Sequence, residues 1–145
     1  MKVADLIQSR REVYSIPEDM TVYDAARYLR EKQVRAVGVR DSAGKLIGVI
    51  SQADMSDKVA AENKCPAWMR VSEIMNRGLI TVGPEISLEE CLRLMDKHNI
   101  YHLLVVDEKK GDYLGMVSVR DLLRLIASDE KERADLFQAL LFPER

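Results

Sequence analysis

The segment GVISQAD at residues 48–54 returns as GMVSVRD at residues 115–121. Both read glycine, two apolar residues, serine, two variable residues and aspartate, and the second begins 67 residues after the first. The match extends outward. VADLIQ at 3–8 resembles VSEIMN at 71–76, and YSIPEDMTVYDAARYLREKQVRAVGVRD parallels ITVGPEISLEECLRLMDKHNIYHLLVVDE. A similarity kept at one interval along 145 residues predicts two copies of a single structural unit.

Each copy has the same predicted order of elements. A short helix and a brief extended piece precede an amphipathic helix, and an apolar run then predicts a strand buried on both faces (AVGV or LLVV). A turn leads into a second strand (KLIGVIS or YLGMVS), and a helix closes the unit. We therefore predict an α/β (α+β) fold of two β-α-β-β-α repeats, at 1–62 and 71–127. A linker at 63–70 joins them, and a C-terminal amphipathic helix spans 128–145.

The composition of the chain disfavours several classes of function. The formal net charge is −2, and acidic and basic residues are interspersed, which disfavours nucleic-acid binding. No apolar run approaches the roughly 18 residues that span a membrane, and the N-terminus meets charge too early for a secretory signal. We expect a cytoplasmic protein. Cys65 and Cys91 lack metal-ligand spacing, and no set of side chains resembles a catalytic centre, so neither a metal site nor an enzyme is predicted.

The serine and aspartate of the repeated segment allow two interpretations. Ser51 with Asp54, and Ser118 with Asp121, have the spacing of a capping box, in which each side chain satisfies a backbone N–H at a helix start. The same residues follow directly on a predicted strand, where the start of a helix is a favoured position for a phosphate. There the aspartate suits the two hydroxyls of a ribose. Both interpretations stay open on spacing alone.

Taken together, these segments resemble a tandem pair of cystathionine-β-synthase (CBS) domains, or Bateman module, of the freestanding bacterial and archaeal type. The resemblance runs from Val3 to about Ala127 and rests on both copies of the repeated segment. It implies two repeats packed sheet to sheet with pseudo-twofold symmetry. It also implies clefts between them that bind adenosine-containing ligands, and a homodimer.

The resemblance also implies a set of binding residues. Ser118 and Asp121 would hold phosphate and ribose, and Ser51 and Asp54 would do so in the other cleft. The adenine edge would be contacted by extended backbone at Ser15, Ile16, Thr81 and Val82. The phosphate would be faced by the residues before each buried strand, which are Arg35 and Ala36 in the first copy and Tyr101 and His102 in the second. Because Arg120 has only Ala53 as its counterpart in the first copy, the second cleft is expected to bind better.

The predicted function is a regulatory module that senses adenine nucleotides (AMP, ADP or ATP) and signals to a separate effector protein. No cofactor is required, and the nucleotide is a regulatory ligand. The alternative is a ligand-free structural or protein-interaction dimer; a sensor of S-adenosylmethionine or NAD(H) is a third interpretation. In the tail, Ala134, Phe137, Leu140 and Leu141 form an apolar stripe, which either folds back on the module or contacts a partner.

Overall fold

The computed structural model describes residues 2–10 and 12–142, and within them each repeat has the predicted order of elements. The first repeat contains α1 Val3–Gln8, β1 Ser15–Pro17, α2 Val22–Lys32, β2 Ala36–Arg40, β3 Leu46–Ser51 and α3 Gln52–Met55. A π-helical turn, Ser56–Ala60, and a 3₁₀ turn, Pro66–Trp68, follow. The second repeat contains α4 Val71–Ile74, β4 Thr81–Val82, α5 Leu88–His98, β5 His102–Val106, β6 Tyr113–Ser118 and α6 Val119–Ser128, and α7 Glu130–Leu141 continues the chain. The predicted mixed α/β class is confirmed.

Each repeat forms its own three-stranded sheet. β1 pairs in parallel with β2, which pairs antiparallel with β3, and β4, β5 and β6 repeat this arrangement. The central strands are the apolar runs of the sequence, and in β5 Leu103, Leu104 and Val105 are buried, as predicted for a strand covered on both faces. The predicted packing of one sheet on the other remains a prediction.

The long helices α2 and α5 begin and end at equivalent residues. The hydroxyls of Thr21 and Ser87 accept hydrogen bonds from the backbone N–H three residues later. Gln33 (φ 57°) and Asn99 (φ 52°) end the helices in the left-handed conformation, so that the chain turns directly into the central strand. The duplication therefore extends to the helix caps.

The compact units of the structure differ from the predicted repeat boundaries. One unit comprises residues 12–80, and the other comprises residues 2–10 together with 81–142. Helix α4, which opens the second repeat in sequence, thus belongs to the unit of the first sheet. Helix α1, which opens the first repeat, belongs to the unit of the second sheet. The two repeats have exchanged their opening helices.

Helix α4 is part of the hydrophobic core of its unit. Val71 and Ile74 are 0% and 3% exposed, and they belong to the same buried cluster as Leu29 of α2 and Ile50 of β3. The Val71 N–H donates to the carbonyl of Met20 over 2.9 Å. Since burying one such side chain stabilises a fold by about 1.5–3 kcal/mol, this short helix is held by packing and not by its length.

Helix α1 is seated in the same way in the other unit. Val3 is fully buried, its N–H donates to the carbonyl of Ile86 over 3.1 Å, and the Ala4 N–H donates to the carbonyl of Pro84 over 2.8 Å. Lys2 forms a 2.7 Å ion pair with Glu85 at the surface. The opening helices therefore occupy equivalent places in the two units.

The closing helices differ. α6 is α-helical throughout, whereas the helix predicted after the first repeated segment is α-helical only as far as Met55. In the π-helical turn that follows, the Ala61 N–H donates to the carbonyl of Ser56 over 2.8 Å, an i to i+5 bond. This wider turn contains Val59, which is 5% exposed, so the turn still contributes to the core.

The C-terminal helix forms as predicted, and α7 covers most of 128–145; residues 143–145 lie outside the described part of the chain. Its apolar stripe is open to solvent, with Phe137, Leu140 and Leu141 at 64–69% exposed and Ala134 exposed as well. The interpretation in which the stripe is buried against its own module is therefore wrong. Among the helices of the described residues, none combines the length and apolar character needed to cross a bilayer.

Candidate functional site

Ser118 and Asp121 lie where β6 passes into α6. Ser118 is the last residue of the strand and the N-cap of the helix, and its hydroxyl accepts a hydrogen bond from the Asp121 N–H over 3.1 Å. In return, Asp121 Oδ2 accepts from the Ser118 N–H over 2.9 Å. The capping box predicted from the sequence is confirmed. Because a carboxylate has about four lone-pair positions, capping leaves acceptor capacity for a ligand.

Asp121 has a second partner that the sequence did not predict. Nη2 of Arg10 donates to Asp121 Oδ2 over 2.9 Å, and Nη1 of the same guanidinium donates to the carbonyl of Met116 in β6. The two charged side chains are 31% and 28% exposed, so the ion pair is only partly screened by water. Arg10 follows α1, so the exchanged segment places its cation on the repeated aspartate of the second sheet.

The strand register brings the predicted basic position to the same place. His102, the first residue of β5, pairs directly with Ser118, the last residue of β6. The carbonyl of the preceding residue, Tyr101, accepts from the Val119 N–H over 3.0 Å, while the Tyr101 side chain is 68% exposed. Arg120 is exposed in the first turn of α6. Tyr101, His102, Ser118, Arg120 and Asp121 therefore lie at one end of the second sheet.

The first sheet repeats the capping geometry with a different cation. Asp54 Oδ2 accepts from the N–H and the hydroxyl of Ser51 over 2.9 and 3.1 Å. Its other oxygen, Oδ1, lies 3.2 Å from Nζ of Lys58, which also donates to the carbonyl of Ile74 in α4 over 2.8 Å. Asp54 is 16% exposed, less than Asp121. Both aspartates are thus ion-paired, but Asp54 takes its cation from one turn along its own closing helix.

The remaining predicted residues of the first sheet lie beside this capping box. Ala36 pairs with Ser51 in the register, and its side chain is buried, so it offers the site only backbone. Arg35 has an exposed side chain, and its carbonyl accepts from the Gln52 N–H over 2.9 Å. The charge predicted before the buried strand is therefore carried by Arg35, which is equivalent to Tyr101 and not to His102.

The segments predicted to contact adenine are edge strands. Ser15 and Ile16 belong to β1, and Thr81 and Val82 to β4, each paired on one side with the central strand of its sheet. Ile16 and Val82 are buried, and the Ser15 hydroxyl accepts from Nε of Arg40 over 3.0 Å. An edge strand is paired with another strand on one side only, and the backbone of Ser15 also forms a hydrogen bond with the Tyr28 side chain.

Two residues of this neighbourhood were missed by sequence reasoning. Lys58 follows Asp54 by four residues on a predicted helix, a spacing that favours an ion pair and was readable from the sequence. Arg10 lies 111 residues before Asp121, and nothing local connects them. The exchange of the opening helices brings Arg10 and Asp121 into contact.

The two cysteines are not part of the candidate site. Cys65 is exposed in the linker, whereas Cys91 is buried in α5, and burial, with a smaller contribution from the charge of Glu90, raises the pKa of the Cys91 thiol to about 11. Within residues 2–10 and 12–142, no group of three or more histidine, cysteine, aspartate or glutamate side chains is arranged to hold a metal ion. The candidate site is therefore one of hydroxyl, carboxylate, imidazole, guanidinium and backbone groups.

Comparison with known proteins places both repeats in one family. The CBS domain model matches residues 3–61 and 71–128. An uncharacterized protein of Methanocaldococcus jannaschii is 29% identical over 127 residues, which are 88% of this chain and 40% of that protein. The inosine-5'-monophosphate dehydrogenase of Nitrosopumilus maritimus is 29% identical over 109 residues, 75% of this chain and 21% of the enzyme. The chain thus spans well under half the length of these relatives.

Solved structures agree with the fold. A putative signal-transduction protein with CBS domains from Burkholderia ambifaria superposes with a TM-score of 0.83 at 29% identity, covering 90% of this chain and 96% of that one. A CBS domain pair solved in complex with 5'-methylthioadenosine and S-adenosyl-L-methionine gives a TM-score of 0.77 at 26% identity, covering 88% and 97% of the two chains. The second of these similar structures holds adenosine compounds.

Proposed function

This chain belongs to the CBS domain family, and we propose that it is a regulatory module that binds an adenine nucleotide of the AMP, ADP or ATP class. A ligand shifts a protein toward whichever conformation it binds better, so occupancy would be passed on as a change in conformation. We propose that a separate effector protein reads that change and that the module acts as a homodimer. No catalytic step is part of the proposal.

One observation carries the proposal: the register of β5 and β6 sets His102 directly opposite Ser118. An imidazole, a hydroxyl and the Asp121 carboxylate therefore share one end of the sheet with the start of α6. Groups of this kind suit a phosphate and a ribose together, since the helix start and the cations attract the anion while the carboxylate accepts from the sugar hydroxyls. The family membership supports the same assignment.

Charge favours a nucleotide over S-adenosylmethionine. Arg120 is a permanent cation, and the imidazole of His102 is a cation in its protonated form. These groups attract a phosphate and repel a sulfonium centre. Because a similar structure holds S-adenosyl-L-methionine, that compound remains a candidate ligand. NAD(H) remains a candidate as well.

The second site is proposed to be the stronger of the two. Asp121 is 28% exposed and receives the hydrogen bonds of Ser118 and Arg10 on Oδ2, whereas Asp54 is 16% exposed and is engaged through both oxygens. The first site would use Ser51 and Asp54 with Arg35, and the backbone of Ala36, Ser15 and Ile16. The second would use Ser118 and Asp121 with Tyr101, His102 and Arg120, and the backbone of Thr81 and Val82.

The second candidate function is a ligand-free structural or protein-interaction dimer. Two observations favour it. In both capping boxes the serine and aspartate side chains bond to the backbone at the start of their own helix, and the apolar stripe of α7 is exposed. In that case the repeated serines and aspartates would serve only their own helices.

The experiment that separates the two candidates is a titration of the protein with AMP, ADP, ATP, S-adenosylmethionine and NADH, followed by calorimetry and by melting temperature. A ligand at 100 times its dissociation constant stabilises the folded state by about 2.7 kcal/mol, which raises the melting temperature measurably. We expect a rise with at least one adenine nucleotide. No heat of binding and no shift with any of the five would favour the ligand-free dimer.

Three matched variants locate the binding. Asp121→Asn keeps the shape of the side chain and removes its charge, so nucleotide affinity should fall at least about tenfold. Asp54→Asn should leave the tighter site unchanged. Asp129→Asn is the control, because Asp129 caps α7 by accepting from the Glu132 N–H over 2.9 Å and is not part of either site. Equal affinity in all three variants would contradict the assignment to Asp121.

A further inference from the structure

The repeated aspartates differ in where their cations come from. Asp54 pairs with Lys58, four residues later in the same helical segment. The residue equivalent to Lys58 in the second repeat, 67 positions on, is Leu125, which cannot form an ion pair. Asp121 pairs instead with Arg10, from the segment that the other repeat has contributed to this unit. The cation of the second site is therefore separable from the helix that carries the aspartate.

A backbone contact of the first sheet is also replaced by Arg10 in the second. In the first sheet, Val49 and Asn76 exchange two backbone hydrogen bonds, of 3.0 and 2.8 Å, between β3 and the segment after α4. Met116 is equivalent to Val49, and its carbonyl accepts instead from Nη1 of Arg10. In the second unit, a side chain therefore forms the hydrogen bond to the strand carbonyl that a backbone N–H forms in the first unit. A side chain can leave by rotation, whereas the backbone pair can separate only if the segment moves.

Arg10 occupies one of the two Asp121 oxygens that a ribose diol would use. Asp121 Oδ2 already receives the Ser118 N–H, and Nη2 of Arg10 is its second donor. A carboxylate oxygen has two lone-pair positions, so Oδ2 has none left for a sugar hydroxyl while Arg10 is bound. A diol that binds both oxygens of Asp121 must therefore displace the guanidinium.

We propose that Arg10 is a built-in competitor at the second site, which a ribose-bearing ligand occupies only by displacing the guanidinium from Asp121. The proposal rests on the proposed function and adds a means of regulating the same site. Binding is then coupled to the segment after α1, because the displaced side chain also releases the carbonyl of Met116. In the first site the cation is Lys58, which belongs to the same helical segment as Asp54 and also donates to the carbonyl of Ile74 in α4.

The test compares wild type with Arg10→Gln, and with Arg93→Gln as the control. Arg93 lies in the same unit and forms an exposed ion pair with Glu89 at 2.6 Å, so its loss removes an equal charge away from the site. Adenosine is the deciding probe because it has the diol and no phosphate, and AMP is the second probe. Dissociation constants come from calorimetry, and Asp121→Asn shows whether the measured binding belongs to the second site.

We expect Arg10→Gln to bind adenosine roughly two- to fivefold more tightly than wild type, the factor that matches a partly exposed ion pair of up to about 1 kcal/mol. Arg93→Gln should bind as wild type does. Adenosine affinity that is unchanged or weaker in Arg10→Gln would overturn the proposal, even if the melting temperature falls. Weaker AMP binding with unchanged adenosine binding would overturn it too, since Arg10 would then be a phosphate contact.

Failure of this proposal and failure of the proposed function give different results. If wild type and Arg10→Gln both bind adenosine or AMP with the same affinity, only the competition is excluded. If no variant, including Arg10→Gln, binds adenosine, AMP or S-adenosylmethionine, the proposed function fails and the competition fails with it.

Discussion

Gly115 of β6 lies directly against Ile7 of α1. A Cβ added to Gly115 would come within 3.1 Å of the Ile7 Cδ1 atom, and the backbone there has φ +144°, a conformation that L side chains rarely adopt. The equivalent Gly48 is crowded by the segment after α4, with Met75 Sδ 2.6 Å and the carbonyl of Asn76 3.2 Å from an added Cβ. At Gly48 and at Gly115, the lack of a side chain therefore leaves room for the exchanged opening segment to pack against the strand.

Gly48→Ala and Gly115→Ala should each destabilise the protein by about 1–3 kcal/mol, because a methyl group forces a tightly packed segment to move. Gly78→Ala is the control, since its nearest neighbour would be 3.4 Å away and its φ is not in the left-handed region. Urea unfolding followed by circular dichroism measures the differences. If Gly48→Ala and Gly115→Ala are both as stable as Gly78→Ala, the two glycines are not required for packing the exchanged segments.

Ser118→Asp should separate capping from ligand binding. Aspartate caps a helix about as well as serine, so the free energy of unfolding should change by less than about 1 kcal/mol, while the added negative charge repels a phosphate. Nucleotide binding should therefore be lost. Ser87→Asp is the control, because Ser87 caps α5 through a 3.2 Å bond and lies outside the site. Retained AMP affinity in Ser118→Asp would argue that the serine is only a cap.

The apolar stripe of α7 should contribute little to the stability of the single chain. Phe137→Ser should change the free energy of unfolding by less than about 0.5 kcal/mol, since the side chain is 64% exposed. Leu122→Ala, in the fully buried position of α6, should cost about 2–5 kcal/mol. Chemical unfolding measures both. Light scattering on Phe137→Ser shows in addition whether the stripe holds a dimer, in which case the mass should fall to that of one chain.

The two cysteines should react differently with a thiol reagent. At pH 8 the native protein should yield one reactive thiol per chain, from exposed Cys65, and two after unfolding, because burial raises the pKa of Cys91 to about 11. Two thiols in the native protein would contradict the burial of Cys91.

The same shift predicts a pH dependence of stability. Between pH 9 and pH 11 the unfolded chain has lost the Cys91 proton and the folded chain keeps it, so the free energy of unfolding falls as pH rises. The loss from this group should reach about 1–3 kcal/mol. Cys91→Ala should remove that part of the dependence and Cys65→Ala should not, as urea unfolding at pH 8, 9, 10 and 11 would measure. An identical pH profile in both variants would contradict the raised pKa.

The duplication, the order of helices and strands, and the capping boxes at Ser51 and Ser118 could all be predicted from the sequence. These features depend on residues a few positions apart, whose apolar periodicity and cap spacing are local properties of the chain. Local periodicity also predicted that α7 would be a helix, but not whether its stripe would be covered, since that depends on what else packs nearby.

Long-range packing sets which sheet each opening helix joins and which cation reaches Asp121, and neither could be predicted from the sequence. VADLIQ and VSEIMN have the same pattern, so either helix could fill either core by its apolar residues alone. Their exchange is a matter of long-range packing, and the Arg10 to Asp121 contact across 111 positions follows from it. Ion pairs of this kind leave no periodic signal in a sequence, because they depend on where two separate segments come to rest and not on the spacing within either.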